Sequence, residues 1–362
     1  MSRIFVILGN GFTIDFLQHF TQVNQDILNK IDVANLFRFG DIITPPWNRL
    51  PGMLSYKNTP NLWKLGARCS ISSEESNALI EEILTCANMF FDFVNDDDQK
   101  DKRLEMIDNA NYYLLAYSEL LIYLRQLFSY YNDLITNEQL NEFITSNSWG
   151  WINFFRRLSS YKDITFVTYN YDIWLERILK TLSIPFEIYG FSQNQKNNKS
   201  AKQEKNKIEI IKPHGSISFV SRNNVNKNYA INYNVNIDAV KLEDYKLEYT
   251  GLGNYDKGLI IPPAGDSSRL SHKAIWSESL RKAAEEEATK IDSQDYVILC
   301  GMSYGHVDRK ELDTILLNLD QNSNFTFINP SPPRDLNAVL MTIFKNYILL
   351  SNSDKIGEIF HD

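Results

Sequence analysis

The chain has 362 residues, 43% hydrophobic and 23% charged, which is the balance of a folded protein with material for one large domain or two ordinary ones. Its formal charge of −8 and pI near 5.3 argue against a general nucleic-acid or anionic-membrane binder. No apolar run approaches the roughly 20 residues that span a bilayer. The opening MSRIFVILGNG reads as a strand and a glycine turn rather than a signal peptide. Cys69, Cys86 and Cys300 stand apart, without CxxC spacing or a close histidine, which argues against zinc and disulfides and for a reducing cytoplasm.

Ile4 to Leu8 is a continuous apolar run, a first buried strand, and Gly9-Asn10-Gly11-Phe12-Thr13 is a glycine turn ahead of a helix begun by Ile14, Phe16 and Leu17. Thr44-Pro45-Pro46-Trp47 and Leu50-Pro51-Gly52 read as loops. Ser72 with Glu75 fits a capping box opening a helix through Leu79, Ile80, Ile83, Leu84 and Ala87. Between Asp101 and Trp149 there is no Gly or Pro, and Leu114, Tyr117, Leu121, Leu124 and Phe128 recur at helical spacing. Residues 55–160 are therefore expected to form a helical insertion within one α/β domain spanning 1–362, and Glu119 and Arg125 place its most apolar part in protein rather than lipid.

Ile164 to Val167 predicts a short buried strand, Thr168-Tyr169-Asn170-Tyr171-Asp172 a polar turn, and Ile173-Trp174-Leu175 the start of a helix. Ligands of open α/β sheets bind outside the carboxyl ends of the strands, so Asn170 and Asp172 stand where chemistry is done. Asp172 equally suits a cap on the helix that follows. Phe186 to Tyr189 reads as a strand, and residues 193–207, apolar only at Ala201, as a mobile surface loop.

Ile208 to Ile211 is a strand leading into Lys212-Pro213-His214-Gly215-Ser216; residues 221–257 suggest a hairpin, and Leu259 to Pro263 a strand end. A charged helix from about 271 to 290 precedes Tyr296 to Leu299, a strand ending in Cys300-Gly301-Met302-Ser303. A helix with Leu312, Ile315, Leu316 and Leu319 on one face leads to a strand at Phe325 to Ile328. The alternation predicts an α/β fold, a Rossmann-like mainly parallel sheet with helices on both faces and a large α-helical insertion.

Gly9 and Gly11 would let a backbone pass close to a ligand and aim helix N-terminal amides at phosphate, although the dinucleotide fingerprint wants a third glycine where this chain has Ile14, and a structural turn fits as well. His214, one of five histidines, stands at a strand end as a candidate base or a structural residue. His306 and Asp308 fit a helix cap and its neighbour, and His19, His272 and His361 have no spaced partners. There is no Gly-Lys-Ser/Thr phosphate loop and no GxSxG elbow.

Taken in order, these turns resemble the sirtuin-like superfamily, and specifically the zinc-free domains of bacterial antiphage defence. The resemblance rests on Gly9-Asn10-Gly11-Phe12-Thr13, on TxNYD at Thr168 to Asp172 followed by Leu175-Glu176, and on His214-Gly215-Ser216. It rests further on Ile260-Ile261-Pro262-Pro263 and on Gly301, Ser303 and Asp308. One departure is the wording GNGF, which is that of the AbiH abortive-infection group. The resemblance implies an NAD⁺ hydrolase that splits the nicotinamide glycosidic bond without zinc, depleting NAD⁺ as an abortive-infection effector. It implies Asn170 and His214 as catalytic residues, with Gly9, Asn10, Gly11, Phe12, Asp172, Gly215, Gly301 and Ser303 around the dinucleotide. Such an activity would be restrained in a homo-oligomer or with a sensor subunit, with no membrane and no nucleic-acid substrate. The alternatives are a module that senses NAD⁺ or ADP-ribose without turnover, and an AbiH-like or ADP-ribosyl-transferring enzyme on another substrate.

Overall fold

Short runs of apolar residues with no polar interruption can be satisfied only where both faces of a strand are covered, and two of them, IFVIL from Ile4 and YVILC from Tyr296, pair in the middle of the sheet. The computed structural model describes residues 2–27, 29–45, 50–94, 111–191, 207–222, 240–255, 258–265, 274–305 and 309–360. The chain runs through β1 (Ile4–Leu8), α1 (Asn10–Val23), α2 (Pro60–Lys64), α3 (Ser73–Val94), α4 (Asn111–Asp133), α5 (Asn137–Ser146) and α6 (Gly150–Arg157). It continues with β2 (Asp163–Thr168), α7 (Trp174–Thr181), β3 (Phe186–Ile188), β4 (Lys207–Ile211), β5 (Gly215–Ser221), β6 (Tyr245–Leu247) and β7 (Gly258–Ile260). The last part holds α8 (Ile275–Ala288), β8 (Tyr296–Cys300), α9 (Arg309–Asn318), β9 (Asn324–Ile328), α10 (Arg334–Ile343) and β10 (Asn346–Leu350).

These elements form two compact units, one of Met1–Leu28, Ile135–Gly215 and Ser277–Asp362, the other of Asn29–Leu134 and Ser216–Trp276. The first holds a seven-stranded sheet of order β10-β9-β8-β1-β2-β4-β3. Its pairings are parallel throughout, with Ile4 opposite both Ile164 and Tyr296. This is the α/β, Rossmann-like architecture that the alternation of strands and helices predicts. α1 lays Phe16 and Phe20 into a buried aromatic cluster with Phe143, Trp149 and Trp174, supplied by α5, the residue before α6, and α7. Each such ring contributes about 1.5–3 kcal/mol by leaving water.

The second unit pairs α3 with α4 and carries a three-stranded sheet, β6-β5-β7, in which β5 and β6 are antiparallel. The expected strand at 259–263 is thus β7, in this smaller sheet. The Ser72 and Glu75 box is present, each residue's backbone N–H donating to the other's side chain. Of the expected 55–160 insertion, α2, α3 and α4 fall in the second unit, and α5 and α6 in the first. Residues 95–110, 193–206 of the expected mobile loop, and 223–239 of the expected hairpin lie outside the described residues. So do His306 and Asp308. Among the described residues no helix is long and apolar enough to cross a membrane.

Candidate functional site

β1 sits mid-sheet: the chain leaves it for β2 on one side and later returns to place β8 on the other. That reversal is where α/β sheets open a crevice at their carboxyl ends. The two turns that line it are Gly9 to Phe12 and Gly301 to Ser303. Gly9 N–H donates to the Cys300 carbonyl at 2.9 Å and Gly11 N–H to the Gly301 carbonyl at 3.0 Å, so the strand ladder continues into the turns. A Cβ on Gly11 would lie 2.3 Å from the Gly301 Cα, and Gly301 itself has φ +65°, so both positions require glycine for backbone approach. α1 begins at Asn10, directly after the strand, without a side-chain cap. Its positive end therefore opens toward the crevice.

Outside these turns lies a pocket of about 460 Å³. Asn10, Gly11, Gly301 and Ser303 line it, together with Asn329 after β9 and Ser353 after β10. Ile14, in the place of a third fingerprint glycine, also lines it and is 39% exposed. The Cys300 thiol beside the pocket is pushed well above its ordinary range by burial first and by Asp15 second, so it is no ready nucleophile. The Phe12 ring is buried against Trp149 and Trp151. Its backbone N–H is bonded to the Gly9 carbonyl at 3.1 Å.

One strand over, β2 ends in the turn that carries Asn170. Its Nδ2 donates to the Gly9 carbonyl at 3.0 Å and to Thr13 Oγ1 at 3.1 Å. A carbonyl can only accept, so this contact fixes which amide atom is nitrogen, and Oδ1 is left on the far side. Thr13 passes its own proton to Asp172 Oδ2 at 2.6 Å, and Asp172 Oδ1 accepts the Trp174 N–H at 3.2 Å. The N-cap of α7 is Ile173, without a side-chain cap, so Asp172 stands one residue before the expected capping position and holds the turn and the first helical N–H with one buried carboxylate. Burial, the largest cause, raises its pKa above the ordinary carboxylate value, against the opposing pull of the Lys212 ammonium. Lys212 Nζ reaches the Asp172 carbonyl at 2.6 Å and Glu176 Oε1 at 2.8 Å.

His214 follows β4 in a tight turn closed by Gly215 N–H to the Lys212 carbonyl at 2.9 Å, with Gly215 at φ +82°. The imidazole is buried and meets Glu311 Oε2 of α9 through Nε2 at 3.2 Å. Tyr169, the neighbour of Asn170 in sequence, packs edge-on against the His214 ring at 4.9 Å. The structure therefore ties Asn170 directly to Gly9 and, through Thr13, to Asp172, while His214 packs against Tyr169, the residue before Asn170. Asn10, Gly11, Gly301 and Ser303 converge instead on the pocket. Sequence reasoning missed Thr13, Lys212, Glu311 and Asn329; only the FT of GNGFT and the Asn-Pro closing β9 carried any signal.

Residues 164–247 match the family model of the SIR2-like domain. The SIR2-like stretch opens at β2 and takes in both the Asn170 turn and the His214 turn, and it ends in β6. SIR2-like domains use NAD, so this part of the chain is similar to an NAD-utilising, sirtuin-like domain. No curated protein matches the chain. Among the described residues no three His, Cys, Asp or Glu side chains gather in a way that could hold a metal ion.

Proposed function

We propose that the first unit binds NAD⁺ across the crevice and hydrolyses its nicotinamide glycosidic bond. The observation that carries the reading is the Asn170 amide, tied by both of its hydrogens to the glycine turn and to Thr13, with the His214 imidazole packed against Tyr169, the preceding residue. A dinucleotide spans two nucleosides, and the reading seats one in the 460 Å³ pocket and the other toward Asn170, with the glycine turn between them. The pyrophosphate would meet the amino end of α1.

In the reaction the C1′–N bond breaks with its electron pair going to nicotinamide, leaving an oxocarbenium-like ribose. A water then forms the C1′–O bond and gives up a proton. With Nδ2 committed to the protein, Asn170 presents Oδ1, an acceptor that orients the water or a ribose hydroxyl without forming a covalent adduct with the cation. His214 takes the proton. Asp172 and Thr13 hold the Asn170 amide in its orientation. Incubating the protein with NAD⁺ and resolving nicotinamide and ADP-ribose by chromatography tests the reading. Asn170→Ala and His214→Ala each lower nicotinamide release by about 100-fold or more; full turnover in both would sink it. The AbiH-like wording of GNGF and the sirtuin-like turns support an antiphage effector restrained by self-assembly or by a sensor subunit.

A second reading, a module that holds NAD⁺ or ADP-ribose without cleaving it, draws on the burial of both residues, Asn170 at 8% and His214 at 2% exposed. It gives ligand-induced thermal stabilisation with no product.

A further inference from the structure

We infer that Asp15 reads the sugar of the nucleoside held in the 460 Å³ pocket, accepting from a free 2′-hydroxyl and turning away a 2′-phosphate, so that the site takes NAD⁺ and refuses NADP⁺. The inference rests on that pocket seating one nucleoside of NAD⁺, as proposed above. Gly11, Ile14, Asp15 and Gln18 all line it, at the i, i+3, i+4, i+7 spacing of one face of α1. Asp15 stands five residues past Asn10, about 7.5 Å along the helix from the amides that would meet the pyrophosphate. In a nucleotide the ribose is the next group after the phosphate, so a sugar hydroxyl comes within reach of this carboxylate.

The carboxylate is already fixed by the protein through one of its oxygens. Oδ2 accepts the Trp149 indole N–H at 2.8 Å and the Ser353 hydroxyl at 2.7 Å, and both donors are buried. Ser353 lines the same pocket, so this bond ties the wall made by α1 to the wall that follows β10. Oδ1 is the oxygen left over. Among the described residues it meets His19 Nδ1 at 3.5 Å, and the proton on that nitrogen is spent on the Asp15 carbonyl at 2.9 Å. The charge is felt at the end of β8, where it adds to burial, the larger cause, in raising the Cys300 thiol. A ribose hydroxyl can donate to Oδ1, whereas a 2′-phosphate brings about −1.5 to −2 charges at pH 7 and acceptor oxygens. The same oxygen therefore attracts one sugar and repels the other. A role confined to tying Trp149 to Ser353 would weaken both dinucleotides together.

Calorimetric titration of the full chain with NAD⁺ and with NADP⁺ measures the ratio of the two affinities, and the unaltered protein favours NAD⁺ by about 100-fold or more. Asp15→Asn keeps an acceptor for Trp149 and Ser353 but removes the charge. It weakens NAD⁺ about 10-fold, strengthens NADP⁺, and so lowers the ratio by more than about 10-fold. A ratio unmoved in Asp15→Asn, whatever the absolute affinities, overturns the inference, as does an unaltered protein that binds the two alike or binds neither. Should Asp15→Asn fail to fold, the unaltered protein decides with the 2′-deoxyadenosine analogue of NAD⁺, which binds about 10-fold or more weaker than NAD⁺; equal affinity is fatal. A preference that follows Asp15 without nicotinamide release removes hydrolysis and leaves the selection, whereas release with an unmoved ratio removes the selection and leaves hydrolysis.

Discussion

Lys212 and Glu176 form an ion pair at 2.8 Å with both side chains 1% exposed, and the same ammonium donates to the Asp172 carbonyl at 2.6 Å. Two buried charges survive only as a pair, because each alone keeps its desolvation cost without the Coulomb return. Lys212→Met or Glu176→Leu alone costs about 3–5 kcal/mol, and the double variant recovers most of that loss. Urea unfolding of the three proteins checks it: a double variant as unstable as the sum of the singles contradicts the pairing argument.

Asp172 makes a pH-dependent contribution of known sign. Its folded-state pKa lies above the ordinary 3.8, chiefly through burial, so between the two values the native chain holds a proton that the unfolded chain has released. Stability therefore falls as pH rises through that window and is level above it. Asp172→Asn flattens this part of the curve. Thermal unfolding from pH 3 to 7 reads the difference, and identical slopes in the two proteins would remove burial as the governing cause.

Gly11 and Gly66 separate crowding from backbone conformation. Gly11→Ala drives a methyl against the Gly301 backbone at 2.3 Å, whereas Gly66, at φ +102°, has nothing within 4 Å of an added Cβ. Gly11→Ala is expected to cost about 1–3 kcal/mol from forced overpacking and to abolish NAD⁺ binding. Gly66→Ala pays about 1–2 kcal/mol of left-handed strain with binding intact. Calorimetric binding of NAD⁺ alongside denaturant melts distinguishes the pair.

In the second unit, the buried Glu119 carboxylate takes the Leu62 N–H at 2.8 Å, the Asn61 N–H at 2.9 Å and Asn61 Nδ2 at 2.6 Å. It caps α2 from outside, and burial raises its pKa. Glu119→Ala strands two backbone donors at about 1–3 kcal/mol each. Glu119→Gln, which keeps one acceptor oxygen, loses less, a ranking that thermal melts measure directly.

The central strands were legible because β1 and β8 are uninterrupted apolar runs ending at Gly, and β9 is a β-branched and aromatic run, Phe325 to Ile328, ending at Asn, patterns with few other solutions. β10 escaped for the opposite reason: it is an edge strand whose Ile348 and Leu349 are 46% and 41% exposed, so no burial pattern marks it. β5 was hidden behind the His214 turn, whose residues read as a strand end rather than a beginning. At the site, the turn positions of Asn170 and His214 follow from strand-end logic. Glu311 does not, since an acid in the first turn of a charged helix is the commonest of surface residues, and its partner lies 97 positions away.

The place of β1 in the sheet also governs how the chain reaches this structure. Its two neighbours are Ile164–Thr168 and Tyr296–Cys300, the second of them almost 300 residues downstream. At ribosomal speeds of about 5–20 residues per second, that partner emerges about 15–60 s after the strand it completes. Throughout that interval IFVIL offers at least one unpaired edge, which makes the nascent chain a client for chaperones long before it meets any ligand.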